Sequence, residues 1–152
     1  MVRARRYHLR KRRLGPCLGL TNRPSFTDQG RIAKLKLRGI EGRISYGLGK
    51  FGSAEIATRE TKEGFADIEM GFACALVGLD LAMILLSQGR SEEAIHEVLE
   101  SAAIFHDLSI HWELLGTVVL LEEALQKKTL SVALVEASAQ YLRKKMMELR
   151  LG

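Results

Sequence analysis

YGLGKFGSAE at residues 46–55 and LSQGRSEEAI at residues 86–95 follow one pattern, forty positions apart. In each, a small residue (Gly47, Ser87) stands two places before a glycine (Gly49, Gly89). A base follows (Lys50, Arg90), and an alanine lies five positions after the glycine (Ala54, Ala94). The register extends outward, with Ile84 matching Ile44 and the Ile104–Phe105 pair matching the apolar position at Phe65. A fixed period of this length is the mark of a stacked helical repeat. Glycine lets one helix end in a sharp turn, and alanine lets two helix backbones approach where they cross.

Working outward, the periodicity predicts six helices. The first, near residues 29–48, carries Ile32, Leu35, Leu37, Ile40, Ile44 and Leu48 at helical spacing and stops at Gly49. A second is capped by Ser53 and runs to about Asp67. A third, residues 69–88, is apolar nearly all round and must be covered on more than one face. The fourth starts at Ser91 as its cap, with Glu92 and Glu93 beside the positive end of its dipole. Ser109 is expected to cap a fifth from Ile110 to Lys127, and Ser131 a sixth from Val132 to Leu149. Short turns between them give antiparallel neighbours. The expected fold is all-α, a stack of three antiparallel helix pairs over residues 29–150, preceded by a basic, flexible tail over residues 1–28.

Composition agrees with one soluble domain: 152 residues, 47% hydrophobic and 27% charged, with only Pro16 and Pro24 to interrupt helices. The net charge of +5 is uneven. Residues 1–28 hold eight cations against Asp28, a net of +7, which leaves −2 for the rest. Basicity therefore belongs to the tail. Cys17 and Cys74 lack metal or disulfide spacing and read as reduced thiols in a cytoplasmic protein. The apolar run at residues 71–87 carries Asp80 at its centre, so it reads as a core helix rather than a membrane span.

LSQGRSEEAI lies close to the turn pattern of the tetratricopeptide repeat (TPR) family, and residues 29–150 as a whole resemble such a repeat. The third unit departs, with Thr129 and Leu134 where Gly and Ala belong, as in a degenerate capping repeat. EGRISYGLGKFGSAE, ALVGLDLAMILLSQGR and SAQYLRKK are similar to the C-terminal segment of large bacterial TPR-containing regulatory proteins. The resemblance implies a protein-protein interaction module, regulatory in character, that binds a partner peptide or protein. In such stacks the first helix of each pair lines the concave face. The implied partner-binding residues are Lys36, Arg43, Tyr46, Met83, Leu86, Glu123 and Gln126. Self-association through a terminal pair stays open.

Other constellations carry less. Asp80 needs a partner inside so apolar a helix, and the expectation is a structural ion pair with Arg43 or Arg38. His96, His106 and His111, with Asp107 and Glu113, lack the arrangement of a metal site. GLGKFGSAE lacks the GK[ST] finish of a phosphate loop and reads as a turn. Trp112 and the Met146–Met147 pair read as packing residues. No catalytic residue, metal or cofactor is expected, and the chain is not read as an enzyme. The alternative function is a nucleic-acid-associated factor acting through Arg3, Arg5, Arg6, Arg10, Lys11, Arg12 and Arg13, whose binding would collapse with salt.

Overall fold

The end of each helix sets the architecture. Gly49 and Gly89 both adopt left-handed backbone, with φ of +77° and +76°. Each closes a turn in which the following residue donates back to the helix, Lys50 N–H to the Ser45 carbonyl and Arg90 N–H to the Leu85 carbonyl, both at 2.9 Å. This is the Schellman closure. Midway between them Glu69 repeats it, with φ +67° and Met70 N–H on the Phe65 carbonyl at 2.9 Å. Lys128 does so again, with φ +56° and Thr129 N–H on the Ala124 carbonyl at 2.8 Å. Ser109 is also left-handed, at φ +50°. The forty-residue period is thus two units of twenty, each a helix ended by the same turn.

The computed structural model describes residues 26–151, all helical apart from these turns. The elements are α1 (Phe26–Gly47), α2 (Phe51–Asp67), α3 (Gly71–Ser87), α4 (Ser91–Asp107), α5 (Trp112–Gln126) and α6 (Val132–Leu151). The all-α stack of paired helices is as expected, though α1 reaches back to Phe26. The arginine-rich segment and Cys17 lie outside the described residues. No helix among the described residues is long and apolar enough to cross a membrane.

Three expected caps are displaced. Ser91 is the first residue of α4, which starts from Arg90 with no side-chain cap. Ser53 lies inside α2, which starts from Lys50 with no side-chain cap, and Ser109 is the left-handed turn residue after α4. His111 caps α5 instead, its Nδ1 accepting from Glu113 N–H at 3.3 Å. Ser131 caps α6 as expected, through Leu134 N–H.

Left-handed backbone costs a residue with a Cβ about 1–2 kcal/mol. Gly89→Ala should therefore destabilise by about 1–2 kcal/mol, and Lys128→Gly should stabilise by about 0.5–1 kcal/mol. Paired chemical denaturation curves check both.

α3 explains its own composition. Every residue from Cys74 to Leu85 is buried, because α2, α4 and α6 all pack on it. Close approach on α4 occurs at Gly78, where an added Cβ would sit 2.4 Å from Ser101 Oγ. α1 and α2 cross at Gly42, where a Cβ would meet Thr58 Oγ1 at 2.8 Å. The turn rhythm slips after Ser109: α5 begins at Trp112, one residue later than the 51, 71, 91 series requires. At that slip the docking changes. α6, through buried Val135, Ala139 and Leu142, takes the place beside α3 that α5 would hold in a regular stack.

Ion pairs tie the units together. Arg90, in the α3–α4 turn, donates to Glu55 Oε1 on α2 at 2.6 Å and also grips Glu93; Arg59 holds the other Glu55 oxygen at 2.9 Å. Partial burial pushes the Glu55 carboxyl up, but hydrogen bonds from Arg90 and Arg59 outweigh it and hold the group below its ordinary 4.5. A depressed folded value means that the stabilisation is present above pH 4.5 and is lost as pH falls through the lower folded value. Glu55→Gln should lower the melting temperature at pH 7 and flatten its decline below pH 4.5. A pH series of thermal melts reads this directly.

Candidate functional site

Asp80 marks the site. Both its carboxylate oxygens accept from Arg143 of α6, Oδ1 from one guanidinium nitrogen at 3.0 Å and Oδ2 from the other. The expected pairing with Arg43 or Arg38 is therefore corrected. Arg38 faces the other side of α1 and is engaged by Glu60 and Glu41, both at 2.8 Å. Those two carboxylates hold its pKa above the usual range. The physical reason is the docking change: α6, not α1, lies over the centre of α3.

The fork closes one end of a cleft of about 260 Å³. Leu35, Lys36, Gly39, Ile40 and Arg43 of α1 form one wall, Ala73, Leu76, Val77 and Asp80 of α3 the floor, and Arg143 the far side, with Thr61 and Phe65 of α2 beneath. Lys36 and Arg43 are both exposed and have no carboxylate partner among the described residues. The lining is thus apolar at its base and cationic along its rim. Asp80 is already saturated by two charge-assisted bonds.

Of the seven residues nominated for partner binding, the structure brings Lys36 and Arg43 together in this cleft. It does not bring the others there. Met83 is buried in the core, a correction that follows from the packing of α2, α4 and α6 on α3. Tyr46 and Leu86 are half-buried packing residues. Ser87 donates to the Met83 carbonyl at 2.9 Å, so the Tyr46 hydroxyl donates to Ser87 Oγ at 2.9 Å and pins the C-terminal end of α1 to that of α3. Glu123 and Gln126 are exposed on α5, away from the cleft.

The remaining candidates separate. His106 meets Glu122 at 2.8 Å, His111 caps α5, and His96 is exposed. Among the described residues no group of three or more His, Cys, Asp and Glu could hold a metal ion. Trp112, expected to pack, is 74% exposed at the start of α5. Met146 packs on the core as expected, whereas Met147 is exposed.

Two features escaped the reading of the sequence. Glu97 of α4 is 1% exposed, with Lys62 Nζ of α2 at 2.5 Å; Glu100 lies 3.4 Å from the same ammonium. The signal was present: Glu97 falls on the core-facing stripe of Ala94, Val98 and Ser101. The other is the outer face of α1. Of the six apolar residues read at helical spacing along it, Leu37, Ile40, Ile44 and Leu48 are exposed, while Ile32 and Leu35 pack inward.

Comparison with protein-family models, curated proteins and solved structures finds no match for the chain.

Proposed function

We propose that the chain is a protein-protein interaction module of TPR-like design, regulatory and cytoplasmic, whose working surface is the cleft between α1, α3 and α6. One observation carries this reading: Lys36 and Arg43, unpaired among the described residues, rim an apolar trough whose far end is closed by Arg143. Such a trough suits an extended peptide segment with an aliphatic residue over Ile40, Leu76 and Val77 and acidic residues toward the rim. The lone carboxylate, Asp80, has both oxygens engaged by Arg143, so the reading includes no catalytic step.

The competing reading places function in Arg3–Arg13 and nucleic acid. Capture from a bacterial lysate, with the full chain and with a variant whose cations in that segment are replaced by Gln, decides between them. A protein retained by both at high salt supports the cleft. Nucleic acid retained only by the unaltered chain, and lost at high salt, would contradict it.

A further inference from the structure

The outer face of α1 offers a second surface. Leu37, Ile40, Ile44 and Leu48 recur at spacings of three, four and four, so they form one stripe, and each is between 42% and 66% exposed. An aliphatic row of this kind on a helix already packed on its opposite side marks an interaction face. The stripe is not flat. Beside it, between α1 and α2, lies a recess of about 430 Å³ lined by Arg38, Glu41, Ile44, Ser45, Ser53 and Ile56. Ile56 is itself 58% exposed.

Charge selects the occupant. Lys34 flanks the stripe on one side and Lys36 and Arg43 on the other, and none of the three is paired with a carboxylate among the described residues. Glu41 is the only acid of α1 after residue 28, and it is bound to Arg38. A second copy laid antiparallel on the same stripe would bring like flanks together, setting Arg43 near its own counterpart, which is unfavourable. A recess that accepts side chains fits a helix with protruding residues better than the level surface of a bilayer.

We infer that the outer face of α1, with the α1–α2 recess, docks an amphipathic helix of a partner protein whose apolar stripe is flanked by acidic residues. The surface adjoins the α1–α3–α6 cleft and shares Ile40, Lys36 and Arg43 with it, but Ile44 and Ile56 line only the recess.

The test uses the full chain and three fluorescent twenty-residue helical peptides: Leu stripe with Glu flanks, the same stripe with Lys flanks, and a scrambled control. Anisotropy titrations should give micromolar binding of the Glu-flanked peptide and at least about tenfold weaker binding of the other two. Ile44→Gln with Ile56→Gln should weaken the Glu-flanked peptide by about tenfold or more. Both side chains are more than half exposed, so an unchanged melting temperature shows that the fold is intact. Equal affinity for Glu- and Lys-flanked peptides, or no effect of the double variant, would overturn the inference. So would concentration-dependent self-association abolished by the same variant, or sedimentation with phosphatidylglycerol vesicles without peptide binding. Capture of the cleft's partner should survive Ile44→Gln/Ile56→Gln, since neither residue lines the cleft, so the two readings can fail separately.

Discussion

Arg143→Met is expected to destabilise the protein by about 3–5 kcal/mol, because it removes both charge-assisted bonds from the buried Asp80 carboxylate inside α3. For a chain of this size that is a fall of roughly 10–15 °C in melting temperature. The cost comes from the stranded charge rather than from the value of the pair itself. Asp80→Leu combined with Arg143→Met should therefore recover most of the loss, ending within about 1 kcal/mol of the unaltered protein. Urea denaturation of the two single variants and the double closes the cycle. A small cost for Arg143→Met would mean that α6 does not lie over α3.

The second large effect is expected at Lys62. Its ammonium sits between Glu97 and Glu100, and Glu97 is one of the most deeply buried charged groups of the described residues. One Glu100 oxygen is also buried without a hydrogen-bond partner. Lys62→Met removes the ammonium that Glu97 and Glu100 share at this junction of α2 and α4. A loss of about 3–5 kcal/mol follows. Adding Glu97→Gln should return part of it, since a neutral amide has far less to lose from burial than a carboxylate. Melting curves of the single and double variants measure the recovery, and no recovery would place the cost of Lys62→Met in packing instead.

Particular residues show why some of this was legible in the sequence and some was not. The repeat was visible at Gly49 and Gly89 because glycine advertises left-handed backbone. The same turn at Glu69 and Lys128, and the left-handed backbone of Ser109, were invisible, since those residues adopt that conformation under the pull of packing and not by preference. That is why a period of forty was read where twenty is the structural unit. Asp80 announced its need for a partner through its apolar surroundings, but Arg143 lies 63 positions away on a helix whose docking depends on a one-residue slip after Ser109. Met83 was misplaced for a related reason: a helix that is apolar all round gives no hint of which side is open. On α1 the apolar spacing read correctly as a helix but did not separate inward from outward positions, because two apolar faces, one inward and one outward, look like a single broad one in sequence.

The most direct measurement concerns which face of the stack works. Capture of a protein partner at high salt by the full chain should be compared with Lys36→Glu/Arg43→Glu, in the α1–α3–α6 cleft, and with Glu123→Lys/Gln126→Lys on α5. Loss of the partner in the first variant and its retention in the second is the result predicted. Retention in the first and loss in the second would show that α5 lines the working face, and would contradict the cleft as the site.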